Sequence, residues 1–222
     1  GPIVPLIAET GGQNVMIVDS SALLEQVVGD ALTSAFSSAG QRCSCLRVVF
    51  VQEEIAAPFI TMLDGAMQEI ELGDPLNLAT DVGPLIDGAA LEAMQTHRLR
   101  MEREATLQSV TPTRESGEFG FHFAPRAFEL SSLSLLEGEV FGPILHIIRF
   151  KSDHLDGVVD AINRTGYGLT LGIQSRIDAT IERITARARV GNVYVNRNMI
   201  GAVVGAQPFG GEGLSGTGPK AG

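Results

Sequence analysis

Cysteine is scarce in this 222-residue chain: there are two, Cys43 and Cys45, only two positions apart. That spacing excludes an ordinary disulfide framework, and the simplest setting for such a chain is a reducing, cytoplasmic one. Positive charge is also in short supply, with 16 Lys and Arg against 26 Asp and Glu and a formal net charge of −10. Nucleic-acid binding needs a basic face to neutralise phosphates, so no nucleic-acid contact is expected of this segment. No uninterrupted apolar run reaches the roughly 18 residues of a membrane-spanning helix. The opening Gly1-Pro2-Ile3-Val4-Pro5 lacks the basic flank and apolar run of a signal peptide. Internal repeats, low-complexity linkers and charge blocks are missing too. There is no initiator Met, and a glycine-rich run closes the chain, so both ends read as cuts through a longer protein.

What is present is an ordinary globular composition, 44% hydrophobic and 19% charged. A chain of this length buries roughly 70% of its unfolded surface. Apolar runs alternate with helical periodicities, which predicts one α/β domain over residues 1–222 with a mainly parallel sheet flanked by helices. Strands are expected at Ile3–Ala8, Asn14–Val18, Leu46–Val51, near Leu107, at Phe121–Leu130 around Pro125, and at Ile144–Phe150, Leu169–Gln174 and Val190–Val195. Helices are expected at about Ala22–Ser37 with Ser20 or Ser21 as cap, Glu53–Ile70, Ala89–Glu104, Asp153–Asn163 and Asp178–Ala188. Gly73–Asp87, Thr111–Glu118 and everything from Gly201 to Gly222 read as loops.

Cys43 lies in a polar break, Ala39-Gly40-Gln41-Arg42-Cys43-Ser44, rather than inside an apolar run. Arg42 beside it would favour the reactive thiolate if the side chains approach. Cys45 leads directly into an apolar strand and suits an inert, buried thiol. Glu9 ends an apolar run ahead of Thr10-Gly11-Gly12, a position expected at the carboxyl end of a strand, where side chains emerge into a crevice as candidate general bases. Taken singly, each has a plainer explanation: a half-buried inert cysteine and a solvated strand-end acid. The four histidines show no metal-ligand spacing, and no metal site is expected. Gly211-Glu212-Gly213-Leu214-Ser215-Gly216 matches G-x-G-x-x-G letter for letter, but no helix can follow it, so it is rejected as a dinucleotide turn. Glu139-Val140-Phe141-Gly142-Pro143 reads either as a ligand-facing corner or as a simple strand-entry turn.

Together these pieces resemble the aldehyde dehydrogenase superfamily. Glu9-Thr-Gly-Gly is similar to its general-base motif and Gly40-Gln-Arg-Cys43 to its nucleophile motif. Asp81-Val-Gly-Pro84, Glu139-Val-Phe-Gly-Pro143, Val195-Asn196 and Pro208-Phe-Gly-Gly211 follow in the family's order. The separations of 34 residues from Glu9 to Cys43 and 96 from Cys43 to Glu139 agree with the family layout. The Cys43-Ser44 pair, Asn196-Arg-Asn198 and the run Gly201 to Phe209 resemble the glutamate-γ-semialdehyde (pyrroline-5-carboxylate) dehydrogenases. The ending Gly213 to Gly222 is similar to that module in bacterial bifunctional proline utilisation A proteins. That group leads one to expect Ala, not Cys, at position 45.

The resemblance implies that Cys43 is the nucleophile, that its backbone N–H serves the oxyanion hole, and that Glu9 activates the hydrolytic water. It implies that Glu139 holds the nicotinamide ribose hydroxyls of NAD, with Phe141 packing beside the ring. It implies that Ser44, Gly201 and Ala202 bind the substrate's α-carboxylate and Phe209 its aliphatic part. It further implies a missing upstream NAD-binding domain that holds most of the cofactor site, an apolar face left exposed by its absence, and negligible turnover by the isolated chain. A proline dehydrogenase domain in the same polypeptide and homo-oligomerisation when complete belong to the same expectation. The rivals are another semialdehyde dehydrogenase of the same fold, a cofactor-free Cys-dependent thioesterase or acyltransferase, and a non-catalytic assembly module.

Overall fold

Residues 1–4, 6–113, 120–203, 205–218 and 220 are described by the computed structural model. Five strands, β1 (Asn14–Val18), β2 (Leu46–Gln52), β3 (Thr106–Val110), β4 (Arg126–Glu129) and β5 (Ile144–Phe150), are joined by helices α1 (Leu24–Phe36), α2 (Glu53–Gln68) and α3 (Gly88–Glu104). Then come α4 (Leu155–Arg164), β6 (Tyr167–Gly168), β7 (Thr170–Gln174), α5 (Asp178–Arg187), β8 (Asn192–Val195) and β9 (Glu212–Gly213). Seven strands form one sheet in the order β3-β4-β5-β2-β1-β7-β8, and a small second sheet pairs β6 with β9. Every neighbouring pair in the large sheet is parallel except β3 with β4 at one edge. This is the mostly parallel α/β architecture expected.

Helices on both faces explain the unbroken apolar runs of β1, β2 and β7, whose residues are all buried. Met16, Ile17, Val49, Phe59, Leu63, Leu145 and Ile147 belong to the core cluster. The chain passes from β1 to β2, crosses to the β3 edge, steps back through β4 to β5 beside β2, and then lays β7 and β8 on the other side of β1. The sheet therefore reverses direction at β1.

Some expectations are corrected. The described residues of Ile3–Ala8 form no strand: Ile3 is 96% exposed and Val4 81%. Both neighbours of β1, the strand that this segment leads into, are already β2 and β7. Phe121–Leu130 shortens to β4, which starts just after Pro125, a residue with no N–H for a ladder. Phe121 makes only a single bridge to Leu85. The Gly201–Gly222 stretch is not all loop, because it contributes β9. Helix α1 starts at Leu24 without a side-chain cap, since Ser21 Oγ donates instead to Asp19 Oδ1 at 2.5 Å. Of the Thr111–Glu118 loop, residues 114–118 lie outside the described residues.

Candidate active site

Three loops meet at the amino ends of the parallel strands. Residues 8–13 enter β1, residues 37–45 enter β2 and residues 136–143 enter β5. Glu9 was expected at a strand's carboxyl end and is instead ahead of β1, on the opposite edge of the sheet.

The Cys43 loop is built on a strained turn. Ser38, Ala39 and Gly40 take positive φ in succession, 55°, 53° and 66°. For residues other than glycine this conformation costs roughly 1–2 kcal/mol each, so it persists only where surroundings enforce it. Glycine is obligatory at position 40, because a Cβ there would fall 2.4 Å from the Gly142 carbonyl oxygen. Asn14, at the start of β1, ties the loop down from one side. Its Nδ2 donates to the carbonyls of Cys43 (2.6 Å) and Cys45 (2.8 Å) while its Oδ1 accepts from Thr170 N (3.2 Å). Close approach at Gly12 lets this happen, since a Cβ there would meet Cys43 O at 2.8 Å.

Arg47, the second residue of β2, ties the loop from the other side. Its side chain is 1% exposed. Nη1 donates to Gly40 O at 2.6 Å and Gly142 O at 3.3 Å; Nη2 donates to Arg42 O at 3.1 Å and Glu139 Oε1 at 3.4 Å. The guanidinium also lies 5.2 Å from the centre of the Phe141 ring. Burial pulls its pKa down, and Cys45 and Glu139 oppose that pull. Glu139 sits in a notch that exists because residue 11 is glycine: a Cβ there would lie 2.1 Å from Glu139 Oε2.

Cys43, Ser44, Gly201, Ala202 and Phe209 line one cleft of about 370 Å³, together with Arg42, Ile200 and Val203. Residues 160 positions apart in sequence are thus brought to one surface. Gln207 fixes the far wall by donating to Gly201 O (2.9 Å) and Tyr194 Oη (3.0 Å). Glu139 and Phe141 do not line this cleft; they lie across Arg47 from it. Glu9 is exposed, with Oε1 close against Gly210 and Gly216. Its backbone is fixed by a bridge to Gly216 and by flanking bonds, Thr10 N to Ser215 O (3.1 Å) and Thr217 N to Ala8 O (3.0 Å). The rejected G-x-G-x-x-G run therefore has a use other than phosphate binding. It forms β9 and clamps the Glu9 segment, with Ser215 Oγ accepting from Gly168 N at 3.0 Å.

The electrostatics of Cys43 differ from expectation. Burial pushes its thiol pKa up, against the N–H groups of Ser44 and of Cys43 itself, and the charges of Glu139 and Glu9 push it further up. Arg42 does not serve the thiol; its Nε donates to Ser38 Oγ at 2.9 Å and so helps to pin the left-handed turn. Cys45 is fully buried, with Sγ 4.0 Å from the Ser37 carbonyl and its pKa raised by burial. The two thiols thus differ in exposure, Cys43 lining the cleft and Cys45 enclosed, while burial raises the pKa of both.

Two histidines that share no sequence spacing meet behind the site. His146 Nδ1 donates to Arg47 O at 2.9 Å, leaving Nε2 to accept from His97 Nε2 at 2.9 Å. Desolvation lowers both pKa values, to about 3 for His146 and about 4 for His97. Among the described residues no group of three or more His, Cys, Asp or Glu is placed to hold a metal ion. A wider groove of about 740 Å³ beside Gly138 and Tyr167 contains none of the candidate residues.

The Aldehyde dehydrogenase family profile matches residues 1–222, and the chain belongs to that family. It is 56% identical over its whole length to the bifunctional protein PutA of Klebsiella aerogenes, and it spans 17% of that protein. Against the 1-pyrroline-5-carboxylate dehydrogenase of Geobacillus sp. (strain WCH70) the identity is 32% over 98% of this chain and 42% of the relative. A crystal structure of Bradyrhizobium japonicum proline utilization A (PutA) superimposes with a TM-score of 0.94 at 58% identity, covering all of this chain and 22% of that one. The chain therefore spans only about a fifth of the PutA proteins that it matches.

Proposed function

We propose that this chain is the catalytic part of an NAD-dependent L-glutamate γ-semialdehyde dehydrogenase of proline catabolism, acting in the cytoplasm. The observation that carries the reading is the cleft that gathers Cys43, Ser44, Gly201, Ala202 and Phe209 in a chain 56% identical to PutA. Cys43 adds through sulfur to the aldehyde carbon, and its own backbone N–H faces the developing oxyanion. Because burial raises the thiol pKa, the thiol must lose its proton as it attacks. Ser44 and the Gly201–Ala202 backbone orient the α-carboxylate, and Phe209 covers the methylene chain. Glu9, exposed to solvent, takes a proton from the water that hydrolyses the Cys43 thioester.

Glu139 and Phe141 fit the ribose end of a nicotinamide dinucleotide. A carboxylate accepts from paired hydroxyls, this one is seated in the Gly11 notch, and the Phe141 ring is 44% exposed beside it. NAD, when bound, supplies the hydride acceptor. No described residues form a glycine-rich turn opening a helix, the usual seat of a pyrophosphate. Most of the cofactor site is accordingly assigned to an upstream NAD-binding domain, and the 222-residue chain by itself is expected to turn over negligibly. A proline dehydrogenase domain in the same polypeptide and a homo-oligomeric assembly complete the proposal.

The test is NADH formation from glutamate semialdehyde by three proteins: this chain, an upstream-extended polypeptide, and that polypeptide with Cys43→Ala. Activity is expected only in the second, with the substitution costing at least about a thousandfold. Activity in the short chain would move the cofactor site into it. Silence in all three folded proteins would transfer the assignment to a cofactor-free hydrolase, or to an assembly module if ester hydrolysis were absent too.

A further inference from the structure

We infer that Arg47 is a positioning residue that locks the Cys43 loop and the Glu139 loop into one unit. For the roles of Cys43 and Glu139 this rests on the dehydrogenase reading above; for the lock itself it rests on geometry. One guanidinium, buried to 1% exposure, reaches four acceptors on two loops separated by about a hundred residues of chain: Gly40 O, Arg42 O, Gly142 O and Glu139 Oε1. A planar fork with fixed donor directions suits this task, and a single ammonium cannot satisfy all four acceptors together. Two of the acceptors flank the residues that matter most. Gly40 ends the left-handed run 38–40, and the bond to its carbonyl holds a conformation that its neighbours would otherwise leave. Glu139 is gripped on Oε1 by Arg47 and pressed on Oε2 against Gly11, so one carboxylate is located from both sides. The aromatic ring of Phe141 closes the fourth wall.

The arrangement has a functional consequence. The distance from the nucleophilic sulfur to the cofactor ribose is set by two loops that enter the paired strands β2 and β5 but lie ahead of their ladder, which begins at Val48 and His146. Arg47 makes their separation a property of a single β2 side chain, so substrate carbon and hydride acceptor are held at one spacing. A cation there also stabilises the Cys43 thiolate, opposing the Glu139 and Glu9 charges.

The experiment compares parent, Arg47→Lys and Arg47→Met in a Cys45→Ala background, using this full chain. It measures amide exchange of residues 38–44 and 139–142 and the pH profile of Cys43 alkylation by iodoacetamide. Both loops are expected to exchange about tenfold faster or more in Arg47→Lys, while the remainder of β2 keeps its protection. The alkylation midpoint is expected to rise by about half a unit or more in Arg47→Met and by less in Arg47→Lys, which keeps the charge. Loosening of one loop alone, or no shift of the midpoint in either variant, would overturn the inference. If Arg47→Met does not fold, the lysine variant decides alone through the two-loop exchange. In the upstream-extended polypeptide, Arg47→Lys should raise the KM for NAD more than it lowers kcat. Neither alkylation nor exchange depends on the assigned reaction, so failure of the dehydrogenase reading and failure of the lock are separable.

Discussion

The two edges of the large sheet are finished in opposite ways. At the carboxyl ends, where a parallel sheet that reverses direction usually opens a ligand crevice, this chain ties a closed polar knot. Asp19, 6% exposed, accepts from Ser21 N (2.8 Å), Ser21 Oγ (2.5 Å) and Ser175 Oγ (2.5 Å). Asn196 seals the knot by donating to Ser175 O and accepting from Ser175 N. Each polar group there is satisfied by a neighbour a few ångströms away. At the amino ends the finish is strained and open: three successive left-handed residues, glycines with no room for a Cβ, a thiol with a raised pKa and an exposed carboxylate. A buried guanidinium serves that edge as the knot serves the other, but its acceptors belong to loops rather than to strand ends, and its Nε finds no acceptor among the described residues. The candidate site thus lies at the strained, open edge, and the closed polar network at the other.

The sharpest way to break this contrast is Gly40→Ala. It adds strain at φ 66° and drives a Cβ against the backbone of Gly142, so a loss of about 3 kcal/mol in a urea titration is expected. The displaced Cys43 loop should show an altered alkylation rate as well. Asp19→Ala at the opposite edge should cost about 2 kcal/mol by leaving two hydroxyls and an N–H without their acceptor. Its Cys43 alkylation should be unchanged; a change would show that the two edges are coupled.

A further effect is acid sensitivity at the amino edge. His146 and His97 are neutral in the folded chain, with pKa values of about 3 and about 4, whereas the unfolded chain takes up protons as pH falls below roughly 6.5. Their contribution is complete above pH 6.5 and is lost as pH falls toward 4, by at most about 1.4 kcal/mol per pH unit for the buried His146. Urea midpoints of the parent should therefore drop more steeply between pH 6.5 and 4.5 than those of a His97→Gln, His146→Gln double variant. Equal slopes would dismiss the pair as an acid-sensitive joint.

Much of this was legible in the sequence, and the parts that were not share a cause. Strands β2, β5 and β7 announced themselves as apolar runs because both faces are covered. Cys43, Ser44, Gly201, Ala202 and Phe209 were legible through motif resemblance, and they do share a cleft. Arg47 was not, because a single charge inside Leu-Arg-Val-Val-Phe looks like an outward-facing strand residue until its acceptors are known. Those acceptors are carbonyls, which carry no residue type. The same holds for the left-handed Ser38 and Ala39, whose side chains give no sign of positive φ, and for His97 and His146, which meet only through helix α3 packing on β5. Ile3–Ala8 misled for the converse reason: apolarity measures what a strand would bury and is silent on whether an edge is free to receive it.

The clamp on Glu9 has a consequence for the order in which the site is completed. The Cys43 loop has all its fastenings once residue 142 and the strand β7 are in place, whereas the Glu9 segment waits for Ser215 and Thr217, more than 200 positions behind it. During synthesis the Cys43 loop is thus fastened before Glu9, the carboxylate proposed to activate water, is seated. On the proposed roles, a ribosome-bound chain, or one cut short of Ser215, would carry the Cys43 thiol without its hydrolytic partner. It would behave as a trap that takes up one acyl group and keeps it. In the dehydrogenase reading, turnover would be withheld until residues 215–217 close over residues 8–10.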